Sequence, residues 1–132
     1  MAQFFRRKWP GVSYGRGEDW HYVGEAGEPA FEDSWANVTA ATALAFRIRE
    51  AGIVDVFGFV DHAGNGNSIP ITTLPDGYRP SNGTRVAAVC DTGPCMVIIT
   101  PLGELIPVSY GGTLGEVWIA AQFFLDPPVE AS

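Results

Sequence analysis

The sequence predicts an all-β protein: an antiparallel β-sandwich, jelly-roll-like in build, preceded by an extended N-terminal arm. Three observations carry this prediction. From Trp35 onward, short apolar stretches alternate with turn residues at close spacing. Sixteen Gly and ten Pro in 132 residues supply the turns. No long helix is predicted. The length suits one domain with a single core and is too short for two. We therefore expect an arm over residues 1–34 and a sandwich domain over residues 35–132.

The arm shows no sustained period of 2 or 3.6, yet it holds Phe4, Phe5, Trp9, Tyr14, Trp20, Tyr22 and Phe31. So aromatic a segment would be insoluble if left free, which predicts docking on its own domain or on a partner. Within it, Phe4, Phe5, Arg6, Arg7, Lys8 and Trp9 combine aromatic rings with Arg, the residue types that anchor interfaces. These six are the expected anchor, inserted into a neighbouring subunit.

In the domain, "TALAFRIRE" puts Leu44, Phe46 and Ile48 on one face and Ala45, Arg47 and Arg49 on the other, the period of a half-exposed strand. "IVDVFGFVD" carries apolar residues on both faces and reads as a central strand covered on both sides. "WANVTAATALAF" is the one competitor for a helix, and its Thr and Val residues argue against it. "HAGNGN" has the composition of a hairpin turn. The strands "SIPITTL", "RVAAVC", "CMVIIT", "LIPVSY" and "EVWIAAQFFL" follow. Pro70 and Pro107 lack an amide donor and belong on edges or bulges. Phe46, Phe57, Phe59, Trp118 and Phe123 or Phe124 are expected to fill the core, leaving Tyr110, beside two Gly, as the loop aromatic suited to a sugar ring.

Composition narrows the function. The net charge is −7, so the summed field disfavours nucleic acid and anionic membranes as partners. The basic start is followed by no apolar run of signal-peptide length, and nowhere do 18 apolar residues stand in succession. Synthesis in the cytoplasm without membrane insertion is the expectation. Two His, His21 and His62, are too few for a transition-metal site with no spacing that adds ligands. "DHAGNGN" lacks the ligand order of a calcium loop. Asp55, Asp61, Asp76, Asp91, Glu104 and Glu116 are scattered singly and read as solvated rather than as a glycosidase pair. Neither a nucleophile elbow nor a phosphate loop is present. No catalytic residue, metal or cofactor is expected. Cys90 and Cys95 enclose four residues, a spacing that fits neither a redox C-x-x-C nor zinc; they read as facing hairpin thiols, or as a disulfide in an oxidising milieu.

The segment "TTLPDGYRPSNGTR" explains itself as a structural corner. Pro75 and Asp76 fill the centre of a turn, Gly77 takes the left-handed conformation after it, Tyr78 folds back on the body, and Pro80 holds Arg79 extended. With "FRIREAGIVDVFGFVDHAG" before it and "MVIITPLGELIPV" and "GEVWIAAQFFL" after it, this run resembles the β-sandwich domain at the ends of bacteriophage tail-fibre and minor tail proteins. The shared features fall on Trp35, Gly58 to Val60, Thr73 to Pro80, Gly103 and Trp118, with Leu74, Pro75, Gly77, Tyr78, Arg79 and Pro80 the most specific.

The resemblance implies a non-enzymatic virion structural protein, a homotrimeric knob exposed on the particle exterior. Other virion proteins would be bound through the arm, and a host-surface glycan is a further partner. Such knobs usually end much longer fibres, whereas this sequence has 34 residues for attachment and no heptad pattern. A capsid decoration or head-fibre protein is therefore the alternative expectation, and a soluble carbohydrate-binding module a third.

Overall fold

The computed structural model describes residues 18–49 and 52–125. Eight strands follow in order: β1 (His21–Tyr22), β2 (Trp35–Asn37), β3 (Ala45–Arg49), β4 (Ile53–His62), β5 (Thr84–Cys90), β6 (Gly93–Ile99), β7 (Leu105–Ser109) and β8 (Glu116–Phe124). They form one antiparallel sheet in the order β1-β3-β4-β8-β5-β6-β7, with β2 paired to the far end of β4. The stretch that competed for a helix becomes β2 and a single 3-10 turn over Ala40–Thr42, capped by the Thr39 side chain.

One hydrogen-bonded sheet becomes a sandwich because of how β8 meets β5. The β4–β8 ladder runs from Ile53–Phe124 to Asp61–Glu116, whereas β5 pairs with β8 only from Ala88–Ile119 to Cys90–Val117. Below that short seam β5 leaves β8 and carries β6 and β7 over the inner face. Core residues accordingly come from both halves: Phe46, Val54, Val56, Val60, Val117, Ile119 and Phe123 on one side, Val97, Ile99 and Leu105 on the other. Strand β8 alternates without a break, Val117, Ile119, Ala121 and Phe123 inward and Trp118, Ala120, Gln122 and Phe124 outward.

Unpaired strand edges invite further pairing, and this fold covers the β7 edge with irregular chain. Residues 68–74, expected as a strand, run along β7: Ser68 donates to the Pro107 carbonyl, Ile71 to Leu105, and Leu105 back to Thr72. Pro107 thus sits on the edge strand of the sheet, where its missing amide costs no ladder bond. Residues 30–32 add a further layer through Glu32 to Ile71 and the Thr72 hydroxyl to Ala30. The arm expected over residues 1–34 lies partly within the described residues, and that part belongs to the fold. Trp20, Tyr22 and Val23 are buried, and β1 pairs with β3.

Two expectations are corrected. "HAGNGN" does not make a hairpin, because the next strand, β5, is separated from β4 by β8; the turn instead launches the 68–74 segment. The outer face of β4 is only partly covered. Phe57 is 36% exposed, Trp118 44% and Phe124 49%, so these rings are not core, while Phe46 and Phe123 are. Sequence periodicity marks the two-sided apolar strand but not whether a second layer lies on it.

Candidate functional site

Three regions bring chemistry-bearing side chains together. The first is the corner. Its turn closes with the Tyr78 amide on the Pro75 carbonyl, so Asp76 and Gly77 are the central residues, one position on from the predicted placement, and Gly77 has φ +91°. Leu74 and Pro80 are buried. Arg79 Nε donates to the Leu74 carbonyl at 2.8 Å and its Nη1 meets Asp76 at 2.9 Å, locking the corner on itself.

Tyr78 then reaches across to the N-terminal part of the fold. Its hydroxyl donates to Glu18 Oε1 at 2.7 Å and lies 3.1 Å from His21 Nε2, while its ring stands edge-on to Phe46. His21 Nδ1 meets Glu28 Oε2 at 2.9 Å. Burial pulls the His21 imidazole down, but the carboxylates of Glu28 and Glu18 outweigh it and hold its pKa above the ordinary value. Burial, then the hydrogen bond to Glu18, push Tyr78 up, so it stays a protonated donor. The corner is a clasp on residues 18–28, and its groups are satisfied by one another.

The second region is the outer face of β3, β4 and β8. Trp20 lies over it, 5.3 Å from the Phe57 ring, and the Arg47 guanidinium stacks 4.6 Å above Trp20. Arg47 and Arg49 both donate to Oδ2 of Asp55, which is buried; Asp55 Oδ1 is buried without a hydrogen bond. Beside Trp20 a groove of about 370 Å³ opens, lined by Thr42, Arg47, Phe57 and Trp118. Trp118 packs on Phe59 at 5.0 Å. The next outward pair along these strands is Asp61 opposite Glu116. In the sequence these two acids stand far apart; the β4–β8 register brings them face to face, and register between distant strands is not visible in composition. Neither lines the groove.

The third region is the loop end near the close of β4. Asn65 donates to the Gly112 carbonyl and accepts from Leu114, Asn67 accepts from Ser109, and Thr92 bonds Thr113. Asp91 accepts from Gly115, and these backbone amides hold its carboxyl below the usual range. On this braced end Tyr110 is 96% exposed beside a recess of about 210 Å³ formed with Pro94, Met96 and Val108. The adjoining hairpin carries a disulfide between Cys90 and Cys95, Cα atoms 5.9 Å apart.

The expected anchor residues Phe4, Phe5, Arg6, Arg7, Lys8 and Trp9 lie outside the described residues. Among the described residues no group of three His, Cys, Asp or Glu could hold a metal ion, and no helix is long and apolar enough to cross a membrane.

No family model and no curated protein sequence matches the chain. Its fold is similar to that of the receptor binding protein gp15 of Listeria phage PSA, with a TM-score of 0.57 and 16% identity over 79% of this chain and 65% of that one. The chain therefore spans just under two thirds of that protein's length, and the likeness is one of fold: an antiparallel β-sandwich of the kind a phage receptor-binding protein uses.

Proposed function

We propose that the chain is a non-enzymatic structural component of a bacteriophage virion, a β-sandwich on the tail that is anchored by its N-terminal arm, associates as a homotrimer and contributes to host attachment. The observation that carries this reading is the shared fold with a phage receptor binding protein. The TLPxGYRP-type corner, Thr73 to Pro80, adds to it, since it fastens the N-terminal part of the fold to the sandwich through Tyr78.

The fold also has a polarity suited to the role. The described chain enters at Glu18, whose amide bonds Ile48, and ends at Leu125, whose amide bonds Gly52. Both lie at the end of the sheet that also holds the corner, as the Ser81 to Leu125 bond shows. The opposite end presents the braced loops and Tyr110, an aromatic surface of the kind that stacks on a sugar ring. A host-surface glycan is the receptor class that this end fits.

Immunogold electron microscopy of particles, with antibodies to the purified chain, tests the reading. Label at the tail tip is the expected result. Label on the shell would transfer the same architecture to capsid decoration, and unlabelled particles would remove the virion reading altogether.

A further inference from the structure

We propose that the outer face of β4 and β8 is the receiving surface for the N-terminal segment, residues 4–9, of a second copy of this chain. The inference deepens the homomeric part of the proposed function and rests on it. Its starting point is an exposed apolar strip. The register lays Phe59, Trp118 and Val89 in one row across three strands, Phe57 and Ala120 in the next, and Phe124 further down. Val89 is 60% exposed, and Trp118 and Phe124 nearly half. Such a strip on neighbouring strands marks an interaction surface.

Charge names the occupant. At the upper end of the strip Asp61 and Glu116 stand directly opposite each other on the same face as Phe59 and Trp118, and neither has a cationic partner among the described residues. Like charges so placed repel each other, and an incoming cation would relieve them. Residues 1–17 hold four of the eight basic residues, Arg6, Arg7, Lys8 and Arg16, and none of the fifteen acidic ones; the remainder carries four cations against fifteen acids. Phe4, Phe5 and Trp9 flank Arg6-Arg7-Lys8, matching an aromatic row that ends in two carboxylates.

Direction favours a neighbouring copy, and length permits it. The chain joins the described fold at Glu18, beside Ile48, and runs up along β3 through Trp20 and Tyr22. It arrives from the pole opposite Asp61 and Glu116, so reaching them on its own domain would require a full reversal. A copy standing alongside meets no such demand. From Glu18 back to Arg7 an extended chain reaches roughly 36–40 Å, and the strip from Phe124 to Glu116 spans about 27 Å of strand.

The test uses the purified full chain in sedimentation velocity across micromolar concentrations. We expect a homo-oligomer, and either Asp61→Lys with Glu116→Lys or deletion of residues 2–17 should weaken association by about tenfold or more. Adding Arg6→Glu and Arg7→Glu to the lysine pair should restore it. Trp118→Ala, an exposed site, gives a second variant that should loosen assembly, with near-ultraviolet circular dichroism confirming the fold. Zero-length cross-linking of Lys8 to Asp61 or Glu116 in a mixture of light and heavy isotope-labelled protein should give mixed-mass products. A monomer at every concentration, assembly indifferent to these changes, or cross-links confined to one chain would each overturn the proposal. These measurements need no virion, so their failure is distinct from absence of the protein at the tail.

Discussion

Tyr78 is where a corner residue becomes a fastening. Its hydroxyl gives Glu18 a charge-assisted hydrogen bond, and its ring packs against Phe46, which is fully buried. Tyr78→Phe keeps the ring and deletes the donor, so chemical denaturation should show a loss of about 1–2 kcal/mol, with the slope unchanged. His21 gives the clasp a pH dependence with a definite sign. Its folded pKa lies above the ordinary value of 6.5, so protonated His21 stabilises the fold in full below that value. The contribution is lost as pH rises through the raised folded pKa. Thermal midpoints measured from pH 5.5 to 8.5 should therefore fall for the native chain over that rise, and His21→Gln should flatten the fall. A midpoint that climbs with pH, or a slope that survives the substitution, would remove the clasp as its source.

Between elements, the close approach of the chain entering β3 to its neighbour β4 depends on Gly58. Inward positions of β4 carry Val54, Val56 and Val60, and at Gly58 a Cβ would stand 2.4 Å from the Leu44 Cα. The obstacle is backbone, which cannot step aside as a side-chain tip can, so Gly58→Ala should destabilise by about 3 kcal/mol or more through forced separation of the strands. Measured on the same denaturation curve, Ala87→Gly on the exposed face of β5 should cost well under half as much. The "VFGFV" run shows how far sequence could be read. Its alternation gave a strand, and its central place in the sheet is what the structure has. The sequence left unreadable that the glycine makes room for Leu44, because the approach is set by residues 14 positions apart and by a 3-10 turn. The aromatic assignments failed for a related reason. Trp118 and Phe57 have the chemistry of core residues, and only the absence of a covering layer, a property of the three-dimensional arrangement, puts them on the surface.

At the scale of the molecule, the sandwich class was legible because it depends on local signals that repeat: turn residues and period-2 strands. What composition could not mark was how much of the apparent arm is domain. A segment without periodicity can still be structural when each of its few apolar residues has a place, and residues 18–34 are of that kind. Trp20 and Tyr22 close a small cluster with Ala43 and Ala45, Val23 enters the main core, and Glu32 and Ala30 cover the 71–72 edge. Two truncations separate the two parts. Deleting residues 2–17 removes none of these contacts and should leave the denaturation midpoint of the isolated domain nearly unchanged. Deleting residues 2–34 removes the buried Trp20, Tyr22 and Val23, whose burial is worth about 1.5–3 kcal/mol each, together comparable with the ~5–15 kcal/mol that holds a typical domain folded, so that product should be insoluble or molten. If the shorter remainder instead folds and melts cooperatively like the full chain, residues 18–34 are an appendage and the clasp at Tyr78 is dispensable. If both truncations unfold, the anchoring segment is itself part of the core. The expected outcome, a stable chain that starts near Glu18, is also the one that leaves residues 1–17 available for assembly.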